Sequence, residues 1–309
     1  MTKPHNRITL CRQQGMEEEL RITQPRKSGV WIAGMAWLGL TLGAPATAHA
    51  QTAPLELAPS SRWNLNYSDD SCRLMREFGQ GEDKVILIMD SYAPDMDGYI
   101  TLVGKQFVGS DPYKKVSYGF EPGEPKSGAT AIRGVIGAQA TPLLILGMAL
   151  PKIQAIWQNQ DILFRLTPTS GRAMTLKVGP MAEVAKALNT CTAALVTQWG
   201  FTPEQQAAWK RLPEPIGEPQ KWMRDGWDYP LTAEMRNLNG VVHYRLMVDA
   251  AGTPTRCILQ SETQPAEFGN EVCTVLMRRA RFKPAQDRAG APVASYFTGT
   301  VRFFDDPDH

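Results

Sequence analysis

The clearest alternation lies in the second half of the chain. Val242, Tyr244, Leu246 and Val248 occupy every second position, interleaved with Val241, His243, Arg245 and Met247. Asp249-Ala250-Ala251-Gly252 then offers turn residues before another extended run over residues 255–261. A period of two around a turn predicts a β-hairpin with one apolar face. The period then changes: Phe268, Val272, Leu276 and Ala280 recur at four-residue steps, which predicts a helix over residues 267–281, stopped by Pro284. A last strand is expected over residues 293–304, and a short helical turn near Ala233 ahead of the hairpin.

The first half reads as short strands separated by turn residues. Runs at 63–67, 84–89, 99–103, 162–166 and 174–178 are alternating or apolar, with turns at 79–81, 95–98 and 169–171. They predict a mainly antiparallel sheet, closed by a helix over residues 181–199 whose Met181, Val184, Leu188, Cys191, Leu195 and Trp199 share one face. Residues 121–153 show no clear period, and Leu143 to Leu146 fit a buried strand or the start of a helix equally well. Between the halves, Pro213, Pro215, Gly217 and Pro219 crowd a polar stretch that favours extended chain, so a linker is placed at 211–222. The expected class is α+β. A mainly antiparallel β domain with a C-terminal helix occupies 51–210, and a small strand-strand-helix-strand domain occupies 223–309.

Residues 29–43 are an uncharged, mostly apolar run of 15 residues behind Arg26-Lys27 and ahead of Ala48-His49-Ala50. That order of cationic end, short apolar core and small-residue site predicts a signal peptide over residues 1–50, cut before Gln51, and so export to the periplasm. Carried on to Ala50, the same segment is long enough to cross a bilayer, so a retained inner-membrane anchor is the alternative. The whole chain of 309 residues has 33 Lys and Arg against 31 Asp and Glu. Without residues 1–50 the balance is 27 against 28, with no long basic run, which argues against nucleic acid as a partner. Beyond the cut remain Cys72, Cys191, Cys257 and Cys273, an even set in an oxidising compartment. Three pairings are open; Cys72 with Cys191 and Cys257 with Cys273 is favoured because each bridge then stays within one domain. No C-x-x-C spacing is present and only His243 and His309 remain, so no metal or cofactor is expected.

The second domain resembles the C-terminal domain of the TonB energy-transducer family. The resemblance rests on Tyr229-Pro230, Gly240 with the alternating strand, Asp249 with Gly252, the run Ala280-Arg281-Phe282-Lys283-Pro284-Ala285, Gly290 with Pro292-Val293, and Val301-Arg302-Phe303. It covers roughly 80 residues. Cys257 with Cys273, one on the second strand and one on the helix, is similar to a subgroup from alphaproteobacteria. In that subgroup an uncharacterised domain, matching Trp63, Cys72-Arg73-Leu74, Phe78-Gly79 and Cys191 to Gly200, comes first. The resemblance implies a ββαβ two-layer fold. It also implies a periplasmic, non-catalytic module that adds an extended segment of an outer-membrane TonB-dependent receptor, or of another periplasmic protein, to its sheet edge. The edge expected to receive it is Ser295, Tyr296, Phe297, Thr298, Gly299, Thr300 and Val301. A homodimer is a further option. The alternative is a membrane-anchored energy transducer for receptor-mediated transport. Against it, residues 29–43 contain no His, and a dozen linker residues at ~3.1 Å each span only roughly 40 Å.

Other chemistry reads as structure, so no catalytic residue is assigned and the protein is not expected to be an enzyme. His243 lies on the strand face opposite the apolar one, where an exposed or hydrogen-bonded histidine explains it better than a Ser-His-Asp arrangement. Gly79-Gln80-Gly81 lacks the strand-to-helix setting of a nucleotide loop, and Asp95-Met96-Asp97-Gly98 lacks the distant Glu of a calcium loop. Arg278, Arg279, Arg281 and Lys283 cluster at a helix C-terminus, where exposed carbonyls favour cations by ~0.3 to 1 kcal/mol each; an acidic partner is the alternative. Trp222, Trp227, Tyr296 and Phe297 read as packing first and as a peptide platform second.

Overall fold

Alternation in the first half produces a sheet of ten strands. A computed structural model describes residues 7–11, 53–94, 98–109, 113–136, 139–148, 157–158, 161–224, 227–236, 238–262 and 266–304. The export segment around 26–51, Asp95 to Asp97 and His309 lie outside the described residues. A five-residue strand, β1 (Arg7–Cys11), precedes the large sheet. The large sheet is built from β2 (Leu55–Leu57), β3 (Asn64–Tyr67), β4 (Cys72–Phe78), β5 (Val85–Ser91), β6 (Gly98–Val103), β7 (Tyr113–Glu121), β8 (Lys126–Ile136), β9 (Thr141–Met148), β10 (Leu163–Pro168) and β11 (Met174–Lys177). Their order is β2-β11-β10-β7-β8-β9-β6-β5-β4-β3, antiparallel except where β2 runs parallel to β11. The least legible stretch of sequence therefore supplies β8 and β9, and Leu143 to Leu146 are strand.

This sheet returns on itself. Gly79 N–H donates to the Ala58 carbonyl (2.9 Å) and Ser60 N–H to the Glu77 carbonyl (2.8 Å), and Pro59 bridges Phe78. The chain between β2 and β3 is thereby joined to β4, while β2 holds β11 on its other side. Inward positions follow the period of two: Leu74 and Phe78, Leu87 and Met89, Ile100 and Leu102, and Phe120, Leu146 and Phe164 are all buried in one cluster. Helix α1 (Ala182–Gln198) brings Ala185, Leu188, Cys191 and Leu195 into the same cluster. Cys72, the first residue of β4, is bridged to Cys191 of α1 with Cα atoms 6.1 Å apart, which fixes the helix to the wall it packs on. A short α2 (Pro203–Ala208) follows, opened by a capping box between Thr202 and Gln205.

The Pro-rich stretch is extended as far as Pro215, where it pairs with the second domain, and then tightens into a single 3-10 turn at Pro219–Lys221. In it, β12 (Trp209–Arg211) pairs with β17 (Ala285–Asp287), and β13 (Glu214–Pro215) pairs with β16 (Phe282–Lys283). Helix α3 (Leu231–Met235) leads into β14 (Gly240–Val248) and β15 (Pro254–Glu262), then helix α4 (Glu267–Arg279), β18 (Pro292–Val293) and β19 (Ser295–Phe304). The sheet order is β1-β19-β14-β15, all antiparallel. In the hairpin turn, the Asp249 carboxylate accepts the N–H groups of Ala251 and Thr253, and Gly252 adopts φ 80°, a conformation that L side chains rarely tolerate. The Phe282 N–H reaches the Gly252 carbonyl at 3.0 Å, so the strap after α4 is tied to the same turn. α4 packs Phe268, Val272, Val275 and Leu276 against one face of the sheet, and Cys273 is bridged to Cys257 of β15 with Cα atoms 5.6 Å apart. Among the described residues, both domains and β1 belong to one compact unit.

Candidate functional site

The alternation of β14 and β19 sorts their side chains onto two faces. Val242, Tyr244, Leu246, Val301 and Phe303 point towards α4 and form its core. The edge residues expected to receive a partner divide the same way: Phe297 and Val301 pack into that core, whereas Tyr296, Thr298 and Thr300 are buried on the opposite face. What remains available on β19 is its outer backbone. There β1 pairs antiparallel with it, from Arg7 opposite Phe304 to Cys11 opposite Thr300.

The face away from α4 is covered by the N-terminal domain. His243 is 5% exposed and its ring stacks on Tyr92 with centroids 4.2 Å apart, meets the edge of Tyr99 at 4.3 Å, and shares a hydrogen bond with Thr300 Oγ1 (3.0 Å). Arg302 donates from Nε and Nη2 to the Tyr99 hydroxyl at 3.0 and 2.9 Å. The Arg245 guanidinium lies 3.9 Å from the centre of the Trp199 ring and donates to Asp70 at 2.8 Å. Gln260 Nε2 donates to the backbone carbonyls of Asp70 and Tyr92. Further along, Tyr296 inserts among Trp199, Phe201 and Trp209. Two arginines of one domain, Arg245 and Arg302, thus lie over aromatic rings of the other, Trp199 and Tyr99, a geometry in which the ring faces attract cations by ~0.5 to 2 kcal/mol each.

Burial sets the electrostatics of this seam. Desolvation, reinforced by the nearby Arg302 charge, pulls His243 down to about 3, so the imidazole is neutral there at ordinary pH. Desolvation also pushes Tyr118 up to about 12 and raises Tyr92. Asp90, buried behind Tyr92, is raised by desolvation even though Arg73 donates to both of its oxygens. Arg245 is lowered by burial, with the Asp70 carboxylate opposing the shift. Three buried atoms here have no hydrogen-bond partner: Arg245 Nε, Gln260 Oε1 and Trp199 Nε1. Each such group costs about 1–3 kcal/mol of desolvation.

The other candidates separate cleanly. Trp222 is buried against Phe282 and Phe297, whereas Trp227 is 80% exposed with the Arg224 guanidinium over its ring. In the basic cluster, Arg279 holds the buried Asp228 and the Trp222 carbonyl, Arg281 donates to the Ala280 carbonyl, and Lys283 lies 3.7 Å from Glu214. Arg279 and Asp228 anchor the chain before α3, which explains part of the cluster without any ligand. Among the described residues no group of three His, Cys, Asp or Glu side chains is placed to hold a metal ion, and no helix is long and apolar enough to cross a membrane.

Sequence reasoning saw His243 only as an alternative between exposed and hydrogen-bonded, and it missed Asp70, Tyr92, Tyr99, Arg245 and Arg302 as one surface. A signal was present. The supposedly solvated positions Val241, His243, Arg245, Met247, Tyr296, Thr298, Thr300 and Arg302 contain no Lys, Asp or Glu, which is unusual for an open strand face.

The described residues define a two-domain α+β protein: a large, self-closing β sheet around a helix, docked on a small sheet backed by one helix. Residues 226–304, within the second domain, match the family model of the Gram-negative bacterial TonB protein C-terminal, and the N-terminal domain lies outside that match. No curated protein and no solved structure matches the chain.

Proposed function

We propose that the protein is a periplasmic, non-catalytic TonB-like module that binds an outer-membrane receptor, or another envelope protein, by adding an extended segment to the outer edge of β19. In this reading the second domain is a TonB-type ββαβ two-layer unit, and the exported chain begins at Gln51. The observation that carries it is the coincidence of the TonB C-terminal match with a ten-residue strand whose outer edge accepts an antiparallel strand, here β1. Backbone hydrogen bonds give affinity at such an edge, and side-chain pockets are secondary, which suits an edge whose own side chains are committed to two cores. Cutting before Gln51 removes residues 7–11 and leaves that edge open. The domain boundaries at 51–210, 211–222 and 223–309 belong to the same proposal.

The test uses the protein recovered from its native envelope. Its N-terminal residue and fraction are determined first, then synthetic peptides matching the periplasmic N-terminal segments of outer-membrane receptors are added, and amide hydrogen exchange is followed. Slowed exchange at alternate amides of β19 is expected. Saturating peptide that slows exchange elsewhere, or nowhere, overturns strand addition. A chain retaining residues 29–50 in the inner membrane overturns the periplasmic assignment in favour of an anchored transducer.

A further inference from the structure

Each domain has its own apolar core and its own disulfide, and the surface between them is built differently from either core. The barrel cluster around Phe120, Phe164 and Leu188 and the C-terminal cluster around Phe268, Val272 and Phe303 are each contiguous within one domain. The seam instead sets His243, Arg245, Arg302 and Gln260 against Tyr92, Tyr99, Trp199 and Asp70, with Arg245 Nε, Gln260 Oε1 and Trp199 Nε1 left without partners, and this polar centre is flanked by two small apolar clusters, Val241 with Ile132 and Tyr296 with Phe201 and Val196. Two complete cores joined through a smaller, mixed surface with an imperfectly satisfied polar centre can part without either unfolding.

We propose that the seam is a releasable joint whose latch is His243, and that acid opens it by charging the imidazole held between Tyr92 and Tyr99. The groups facing that ring make a cation costly. On β19 it meets the Thr300 hydroxyl and the Arg302 cation; on β6 it meets Tyr99, whose hydroxyl Arg302 already uses as acceptor. After β5 it meets Tyr92, behind which Asp90 is held by Arg73 of β4, and on its own strand Arg245 is paired with Asp70. The Tyr92 and Tyr99 rings attract a cation weakly, but desolvation and Arg302 act against it and dominate, as the depressed pKa of about 3 reflects. The sign follows from linkage: the docked form keeps His243 neutral, while an undocked histidine titrates near its ordinary 6.5. Docking is therefore fully favoured above about pH 6.5 and is lost progressively as pH falls towards 3. The ratio of docked to open chain drops about 30-fold by pH 5 and about 300-fold by pH 4.

The inference does not rest on strand binding and is tested without a partner. Donor and acceptor fluorophores are placed on the full chain at Val135 of the barrel and Met235 of the second domain, both exposed. Their separation is followed from pH 7.5 to 4, with near-ultraviolet circular dichroism reporting core packing and NMR reporting the His243 ring. The expected result is a growing separation with both cores intact and a midpoint that coincides with His243 protonation. In His243→Phe, which keeps an aromatic ring between the two tyrosines, the separation stays constant. Opening that persists in His243→Phe, or protonation without separation, overturns the latch. Loss of both cores together with opening overturns the joint. Should His243→Phe fail to fold, the coincidence or mismatch of the two midpoints in the unaltered chain decides.

Discussion

Towards α4, the sheet of β14, β15 and β19 presents Val242, Leu246, Val301 and Phe303; towards the barrel, the same strands present His243, Arg245, Thr300 and Arg302. Both faces are buried, yet the first excludes water by apolar area, whereas the second adds, between small apolar clusters around Val241 and Tyr296, cations and hydroxyls paired with rings and a carboxylate. The first face is non-directional and tolerates small shifts; the second depends on hydrogen-bond geometry and on protonation state. A period-two strand therefore encodes two kinds of surface at once, one that holds the domain together and one that recognises its neighbour.

The sharpest way to break this contrast is on the helix side. Phe303→Ala removes a fully buried ring that packs on Phe268 and Tyr229, and is expected to cost about 3–5 kcal/mol, melting the second domain first in a thermal scan. Cys257→Ser with Cys273→Ser frees a loop of sequence separation 16 and should cost about 3 kcal/mol, visible as a lower melting point of that same transition. On the barrel side, Arg245→Ala is expected to cost about 1–3 kcal/mol, less than for a fully buried pair because the Asp70 side chain is 30% exposed. A double-mutant cycle with Asp70→Asn isolates the ion pair from the Trp199 contact. Smallest is Thr300→Val, which deletes the hydroxyl partner of His243 at about 0.5–1.5 kcal/mol and should affect domain docking while the core of either domain keeps its melting point. Equal effects of helix-side and barrel-side substitutions on both domains would erase the distinction between the two faces.

The local code of this chain was legible where one residue pattern meets one partner surface. The face of α1, the Asp249 to Gly252 turn, the α4 stripe and the bridges Cys72 to Cys191 and Cys257 to Cys273 all follow from periodicity and from domain membership. Residues 126–148 were unreadable because β8 and β9 are flanked by strands on both sides and carry Gly134 and Gly147 with apolar residues at successive positions, which obscures a period of two. Closure of the large sheet was equally hidden, since the bonds of Ala58 and Ser60 to the end of β4 involve backbone alone. The seam failed to show for a different reason. Alternation assigns one face to the core and the other to water, and only a second domain, brought in from far along the chain, reveals that Arg245 and Arg302 have rings to rest on.

The bridge between Cys257 and Cys273 also has a mechanical side. Under the strand-addition proposal, a segment paired along β19 and drawn parallel to it would load the whole ladder in shear, so that many backbone hydrogen bonds resist together instead of yielding one by one. The tension passes from β19 to β14 and from β14 to β15, and at β15 it meets a covalent tie to α4. Slippage of β15 past the helix is thereby blocked, while β14 and β19 are tied to it by strand pairing and packing and not by a covalent bond.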